Sequence, residues 1–240
     1  MSSLHPADTI AALSTPSGTG AVAVLRVSGP DAAQVAARVF KGPRLTPRRA
    51  LFGSVVAADG SALDEVLLTY FAGPASYTGE DTIEISCHGG VLVTRRVLER
   101  LLQAGARSAG PGEFTQRAFL NGKLDLTQAE GVMDLISAQT RLSLRAARSQ
   151  LEGTLGRRTT EARDSLLETL AHLEAWIDFP EEDIDPQTGS LLRGRVRAVL
   201  DTVESLLATA DQGRVLREGV RTVIFGEPNV GKSSLLNRLL

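Results

Sequence analysis

The segment GEPNVGKSSLLNRLL, residues 226–240, contains the pattern Gly226-x-x-x-x-Gly231-Lys232-Ser233. An apolar stretch precedes the pattern and a helical sequence follows it, which is the context of a phosphate-binding loop. In such a loop, backbone N–H groups and the helix N-terminus converge on phosphate oxygens, while the lysine reaches the β- and γ-phosphates. We therefore predict a nucleotide phosphate site, with a chance glycine turn between a strand and a helix as the alternative.

The same segment matches the longer form G-x-P-N-x-G-K-S-S-L-L-N and resembles the translation-factor-like GTPases that include Era, the Der proteins and MnmE. This resemblance implies that the loop and the first helical turn bind GTP through Asn229, Val230, Gly231, Lys232, Ser233 and Ser234. It also implies Mg²⁺ ligation by Ser233 and, as in potassium-activated members, K⁺ ligation by Asn229. The alternative for Asn229 is a turn residue held through its own backbone.

The bulk composition is that of a soluble globular protein, with 42% hydrophobic and 22% charged residues in 240. The formal charge of −2 excludes a globally basic nucleic-acid binder, so any such site must be a local patch. The single cysteine, Cys87, excludes a disulfide framework. Because the sequence shows neither a secretory signal nor an apolar run of about 20 residues, we predict a cytoplasmic protein with no membrane segment.

Three regions of the chain differ in composition and in predicted secondary structure. Residues 1–123 combine glycine, proline and β-rich runs with helical patterns, which predicts an α+β domain. Strands are predicted within 21–29, 50–73 and 81–90, and helices within 31–40, 91–104 and 112–120.

Residues 124–217 predict the first part of a helical domain, in the form of an incomplete three-helix bundle. The first helix is predicted to open with a capping box formed by Thr127 and Glu130. The second and third helices are each predicted to bury an apolar stripe. In the second helix the stripe is Leu166, Leu167, Leu170, Leu173, Trp176 and Ile177, and in the third it is Leu192, Val196, Val199, Leu200, Val203 and Leu207.

Residues 218–240 predict the start of a P-loop GTPase domain, with a buried-type strand at Val220–Phe225 before the loop and helix. No switch or Asn-Lys-x-Asp base-reading motif follows the loop in this sequence. We therefore expect an amino-terminal fragment that does not hydrolyse GTP by itself, with residues from about 218 onward frayed because an isolated short helix is marginal in water.

Three further stretches resemble the MnmE family of tRNA-modifying GTPases in the same order: LRVSGP (25–30), SYTGEDTIEISCHGG (76–90) and PGEFTQRAFLNGKLDLTQAE (111–130). The resemblance implies an N-terminal domain that binds a 5-formyl-tetrahydrofolate-type one-carbon carrier and forms a homodimer. It further implies modification of C5 of the wobble uridine (U34) in tRNA, together with an MnmG-like, FAD-dependent partner.

The family's folate positions fall on Arg26, Glu84 and Lys123. Alternation in DTIEIS places Glu84 on the face of its strand opposite the apolar residues. A carboxylate in the middle of a strand needs a hydrogen-bonding or charged partner, or a water-filled cavity. Glu84 accepting N–H groups from a pterin ring is one such arrangement. The alternatives are a cross-strand pair between Arg26 and Glu84 and a solvated turn position for Lys123.

Four other features carry weaker signals for chemistry. His88, before two glycines that indicate a tight turn, is interpreted as structural or at a ligand edge, and Cys87 as a core residue. The arginines at 141, 145 and 148, with 157 and 158 beyond, form a basic stripe that is either a solvated face or a contact for tRNA phosphates. The EEDID run (181–185) is interpreted as an exposed acidic loop.

We thus predict part of a U34-modifying GTPase with GTP, Mg²⁺, K⁺ and 5-formyl-tetrahydrofolate as cofactors. The sequence leaves two alternatives open. One is a non-catalytic folate-binding dimerisation module, and the other is a ribosome-assembly-type GTPase with an RNA-binding front domain.

Overall fold

The structure of the protein is a computed structural model that describes residues 8–178, 189–210, 213–215, 219 and 222–239. The chain divides into two compact units, residues 1–129 and residues 130–240. The first is a mixed α+β unit and the second is helical, so the predicted fold class is confirmed. Among the described residues, every helix is too short or too polar to cross a bilayer.

A seven-stranded sheet organises the first unit, in the order β3-β4-β5-β6-β2-β1-β7. Its strands are β1 (Ile10–Leu13), β2 (Val22–Ser28), β3 (Phe40–Lys41), β4 (Ala50–Val56), β5 (Ala62–Phe71), β6 (Thr82–His88) and β7 (Arg107–Ser108). Its helices are α1 (Ala32–Val39), α2 (Val91–Gln103) and α3 (Glu113–Leu120). The predicted strands and helices of this unit are confirmed, whereas the short β1, β3 and β7 were not predicted.

One face of the sheet forms the core of this unit. Alternation puts Ile83, Ile85 and Cys87 of β6 on that face, where α1 and α2 cover them. The fully buried side chains include Leu25, Val27, Val35, Val39, Leu68, Val97 and Leu101. Each such side chain contributes about 1.5–3 kcal/mol through removal from water, so this helix-covered layer fixes the sheet on which the candidate site lies.

The opposite face of the sheet carries polar and exposed apolar side chains. Arg26 of β2 stands in register with Glu84 of β6 on this face. Phe52 of β4 pairs with Leu67 of β5, and both are exposed, as is Val22 at the start of β2. A sheet therefore holds its candidate ligand-binding residues beside an apolar patch.

The described helices beyond α3 are α4 (Leu126–Ser137), α5 (Arg141–Leu151), α6 (Thr154–Asp178), α7 (Gly189–Ala208) and α8 (Lys232–Leu239). In the second unit, α6 contacts both α5 and α7. This arrangement agrees with the predicted helical character of the region.

The predicted start of the first helix is wrong by two residues. Asp125 and Gln128, rather than Thr127 and Glu130, form the reciprocal cap: the Gln128 N–H donates to Asp125 Oδ1 at 2.8 Å, and the Asp125 N–H donates to Gln128 Oε1 at 2.9 Å. The Thr127 hydroxyl instead donates to Asp125 Oδ1. A carboxylate is the stronger acceptor for orphan helix N–H groups, so Asp125 takes that position.

The region predicted as the first helix of the bundle contains two helices, α4 and α5. A second capping box begins α5, in which the Thr140 hydroxyl accepts from the Ser143 N–H and the Ser143 hydroxyl accepts from the Thr140 N–H. Thr140 has an extended backbone, and this polar cap stabilises the start of a new helix there. The helix is interrupted at a point where the sequence has neither glycine nor proline, so periodicity alone did not indicate the interruption.

The apolar stripes of α6 and α7 are not buried as predicted. Leu170, Trp176, Leu200 and Val203 are each exposed by two fifths or more of their surface. The described helices pair with each other but do not enclose these faces, which agrees with the prediction of an incomplete bundle.

The predicted strand before the phosphate loop is also wrong where the structure describes it. Residues 222–225 have no regular structure, and Phe225 is 97% exposed. A strand needs a neighbouring strand to receive its hydrogen bonds, and the sheet of the described residues does not include residues 222–225. The helix after the loop is formed, at Lys232–Leu239.

Candidate functional site

The phosphate loop has the backbone of an anion cradle. Asn229 and Gly231 both have positive φ, 64° and 92°, and the helix begins at Lys232. The Lys232 ammonium donates to the Gly226 carbonyl oxygen at 3.0 Å and to the Glu227 carbonyl oxygen at 2.6 Å. The lysine therefore folds back over its own loop, where its charge stands beside the helix N-terminus.

The remaining predicted nucleotide residues lie on the same loop and first turn. Val230, Ser233 and Ser234 are exposed, so each is accessible to a ligand. The left-handed backbone of Asn229 fits the turn role that was kept as an alternative to K⁺ ligation. Magnesium takes about six oxygen ligands and prefers to share them with phosphate, so the Ser233 hydroxyl fits such an ion as one donor among phosphate oxygens.

Arg26 and Glu84 form an ion pair on the open face of the sheet. The Arg26 Nε and Nη2 groups both donate to Glu84 Oε1, at 3.0 and 2.7 Å. The two side chains are 22% and 30% exposed, so Glu84 is partly exposed rather than buried. The cross-strand pair was one of the alternatives from sequence. Because Oε1 receives both bonds, the described residues leave Glu84 Oε2 without a protein donor.

Two aromatic rings flank this ion pair, and sequence reasoning did not single them out. The guanidinium carbon of Arg26 lies 4.9 Å from the ring centroid of Tyr77 and 5.5 Å from that of Phe114. The hydroxyl groups of Tyr77 and Thr115 are 2.9 Å apart, which joins the 73–81 loop to α3. Cation–π contacts of this kind hold a guanidinium in place, so Arg26 is oriented by both rings.

Lys123 meets the 73–81 loop at another point. Its ammonium donates to the Pro74 carbonyl oxygen at 3.1 Å, and its side-chain carbons pack against Gly79. The Asn121 amide donates to the Thr78 carbonyl oxygen at 2.8 Å. One loop therefore carries both the ring beside Arg26 and the carbonyl bound by Lys123, although Lys123 has no hydrogen bond to Arg26 or Glu84.

A network of five charged residues underlies this arrangement. Arg117, 7% exposed, donates to Asp8 Oδ1 at 2.6 Å, to both oxygens of Glu80 at 3.2 Å and to Glu113 Oε1 at 3.2 Å. Arg107 donates to Glu113 at 2.6 Å and to Asp8 at 2.7 Å. Glu80, Glu113 and Arg117 lie in the motifs SYTGED and PGEFTQR, so these motif residues position the loop and α3. Their mutual spacing in the sequence gives no sign of the contacts.

The buried acid of this network makes folding sensitive to pH. The Arg107 guanidinium, with the Gly110 N–H and Arg117, lowers the pKa of Glu113 from 4.5 to about 2. A carboxylate whose pKa is lowered by folding stabilises the native state above its unfolded pKa. We expect this contribution to be complete above pH 4.5 and to be lost as the pH falls toward 2. In Glu113→Gln, the acid-dependent fall of the unfolding free energy is expected to be shallower in this window, measured by urea denaturation at each pH.

Glu99→Gln is the matched control, because Glu99 pairs with Arg95 on the surface of α2. Its acid limb should follow the wild-type curve, since an exposed pair contributes little. An unchanged acid limb in Glu113→Gln would show that other carboxylates set the pH dependence.

The end of β6 carries His88 and Cys87. The His88 backbone N–H donates to Asp64 Oδ2 at 2.8 Å, and His88 Nδ1 lies 2.7 Å from Asp64 Oδ1. These two contacts favour the structural interpretation of His88. Burial raises the pKa of the Cys87 thiol, and Cys87 is a core residue as predicted. A Cβ on Gly89 would lie 2.5 Å from the Gly20 carbonyl oxygen, so two backbone segments approach closely at the predicted glycine turn.

The arginine stripe of α5 is exposed, which is the solvated face that was one of its two interpretations. Arg148 pairs with Glu152 at 3.1 Å, and Arg157 donates to the Glu152 carbonyl oxygen. The EEDID run lies outside the described residues. Within them, no group of three or more His, Cys, Asp or Glu side chains could hold a metal ion.

Comparison with known proteins covers both units. Residues 9–123 match the family model described as "GTP-binding protein TrmE N-terminus", and residues 126–235 match the model described as "MnmE helical domain". The two matches together leave only short segments of the chain outside them.

Curated proteins named "tRNA modification GTPase MnmE" are similar over the whole chain. The protein from Akkermansia muciniphila is 56% identical over 238 residues, which are 98% of this chain and 53% of that protein. Those from Chloroflexus aurantiacus and Geobacter sulfurreducens are 54% and 53% identical, and cover 97% and 99% of this chain and 52% and 53% of the relatives. The chain therefore spans about half the length of the curated relatives it matches.

Proposed function

This chain belongs to the MnmE family of tRNA modification GTPases, and we infer its function from that membership. We propose that it contributes to a GTP-dependent modification of C5 of the wobble uridine of tRNA. Its first unit binds a 5-formyl-tetrahydrofolate-type one-carbon carrier, and its phosphate loop binds GTP. The proposal of a carrier site rests mainly on the partly exposed Glu84. Arg26 binds its Oε1, while its Oε2 has no protein donor among the described residues.

The chemistry of that carboxylate suits a pterin. A pterin ring presents neighbouring N–H donors in one plane, and a carboxylate is the acceptor that such donors bind most strongly. Arg26 holds the charge of Glu84 in place, and the Tyr77 and Phe114 rings offer flat apolar surface beside it. Lys123, which binds the 73–81 loop through the Pro74 carbonyl oxygen, supplies a positive charge for a carbonyl or carboxylate of the ligand.

The phosphate loop would hold the nucleotide through its backbone and through Lys232. The ammonium now bound to the Gly226 and Glu227 carbonyl oxygens would exchange those partners for phosphate oxygens, which are stronger acceptors. Bound Mg²⁺ would neutralise phosphate charge, with the Ser233 hydroxyl among its ligands. Asn229 is the residue proposed to face K⁺. This sequence has no switch or base-reading motif after the loop, and we propose that hydrolysis needs them.

The whole protein is proposed to act with further partners. Its substrate would be tRNA, and an MnmG-like, FAD-dependent protein would supply the redox chemistry. We propose that the protein acts in the cytoplasm, because a chain with a single cysteine builds no disulfide framework of its own.

A homodimer through the first unit is proposed on the apolar patch of the open sheet face. Val22, Phe52 and Leu67 are exposed there, on strands β2, β4 and β5 of one sheet. Large exposed side chains grouped on one face mark contact surfaces. A second copy of the same face would cover them and lie next to Arg26 and Glu84.

One titration tests the proposal. We expect the 240-residue chain to bind 5-formyl-tetrahydrofolate with micromolar or tighter affinity in calorimetry, to sediment as a dimer, and to show no GTP turnover. The absence of carrier binding would overturn the carrier assignment. Salt-sensitive RNA binding without carrier binding would favour the ribosome-assembly alternative, whereas GTP turnover would overturn the proposed need for further motifs.

A further inference from the structure

Arg48 has a backbone conformation that few side chains adopt. Its φ is +60°, in the left-handed region where a Cβ is disfavoured. The Arg48 N–H donates to the Tyr70 carbonyl oxygen at 2.8 Å, and Pro47 forms a bridge to the same residue. The strand edge therefore holds Arg48 in a strained geometry, and such strain in a structure is a reason to look for a function.

Arg48 binds the same short stretch of the 73–81 loop as Lys123. Arg48 Nη2 donates to the Ala75 carbonyl oxygen at 2.8 Å, and the Lys123 ammonium donates to the carbonyl oxygen of the preceding residue, Pro74, at 3.1 Å. Consecutive residues are only about 3.8 Å apart along the chain. The two positive side chains thus converge on one short stretch of the 73–81 loop.

No acid neutralises this pair among the described residues. Neither Arg48 nor Lys123 has a carboxylate within ion-pair distance there. Asp81, an acid of this loop, accepts from the Gly73 N–H and from the Tyr70 hydroxyl, both at 2.9 Å. Two like charges brought together without a counter-charge favour the binding of an anion between them.

Arg48 and Lys123 lie to one side of the proposed pterin site. Glu84 pairs with Thr69 of β5, and Thr69 pairs with Ala50 of β4, two residues after Arg48. Two strand spacings, about 10 Å, separate Glu84 from this edge. In a folate, the aminobenzoyl group similarly separates the pterin from the carboxylates of the glutamate tail.

We propose that Arg48 and Lys123 form a two-cation rim that binds the tail carboxylates of the carrier, with Arg48 as a specificity-determining residue of the site. This inference rests on the proposed carrier-binding function. It predicts that Arg48 distinguishes ligands by their tail, whereas Glu84 recognises the ring.

The test compares two ligands that differ only in the tail, 5-formyl-tetrahydrofolate and 5-formyl-tetrahydropteroate, which lacks the glutamate. In Arg48→Gln, we expect the affinity for the first to fall about ten-fold, the size of a lost charge-assisted hydrogen bond, and the affinity for the second to stay within two-fold. Arg49→Gln is the matched control, because the Arg49 side chain is exposed and has no ion pair within the described residues.

Arg48→Gly provides the second variant. Glycine adopts positive φ without strain, so this change removes the charge while it relieves the backbone, and it should show the same ten-fold loss with an unimpaired melting temperature. Equal affinity of both Arg48 variants and wild type for the tailed ligand would overturn the inference alone. Equal losses for both ligands would overturn it too, and failure of the wild type to bind either ligand would overturn the carrier function itself.

Discussion

Replacing Arg117 by methionine is expected to lower the free energy of unfolding of the first unit by about 3–5 kcal/mol, which is the usual cost of breaking a buried ion pair from one side. Arg117 is the one group that contacts Asp8, Glu80 and Glu113 together within the described residues. Methionine fills similar volume but gives no hydrogen bond, so Glu113, 3% exposed, keeps one cation where it had two.

The measurement must report on the first unit alone, because a two-unit chain need not unfold in one step. Hydrogen exchange of the amides of β2 and β6 provides this, since these central strands exchange through opening of the sheet. Arg95→Met is the control: Arg95 pairs with Glu99 on the surface, and its loss should cost less than about 1 kcal/mol. Equal protection in the Arg117 and Arg95 variants would contradict a stabilising role for the network.

Replacing Glu84 by glutamine is expected to weaken binding of 5-formyl-tetrahydrofolate by about 10- to 100-fold, because the ligand loses charge-assisted hydrogen bonds. Glutamine has almost the same shape as glutamate, so the effect isolates the charge. Since the Arg26–Glu84 pair is partly exposed, the fold itself should lose no more than about 1 kcal/mol.

Glu65→Gln is the matched control for this change. Glu65 lies on the neighbouring strand β5, is exposed, and makes no ion pair within the described residues. Calorimetric titration of both variants should show a loss of affinity in Glu84→Gln alone. If the two variants bind alike, Glu84 serves only as the cross-strand partner of Arg26, and the pterin lies elsewhere.

Periodicity predicted most of the first unit because burial there follows local pattern. The alternation of Ile83, Ile85 and Cys87 with Thr82, Glu84 and Ser86 indicated which face of β6 is apolar, and the helices that cover this face begin and end near their predicted bounds. The strands β3 and β7 have two residues each, too few for a period to appear.

The helical unit shows where the same reasoning fails. The stripes on α6 and α7 were predicted correctly as helical, but a stripe indicates a face that can be buried and does not show what covers it. Likewise, Thr127-x-x-Glu130 and Asp125-x-x-Gln128 both fit a capping pattern, and the choice between them depends on which backbone donors are free.

The sequence by itself determined the phosphate loop, the alternating sheet face with Glu84, and the family, because each depends on residue types at short spacing. The tertiary structure decided which charges meet: Asp8 with Arg107 and Arg117, and Arg48 with Lys123 on one loop. Such contacts join residues up to 109 positions apart. They arise from strand order and loop geometry, for which no local spacing carries a signal.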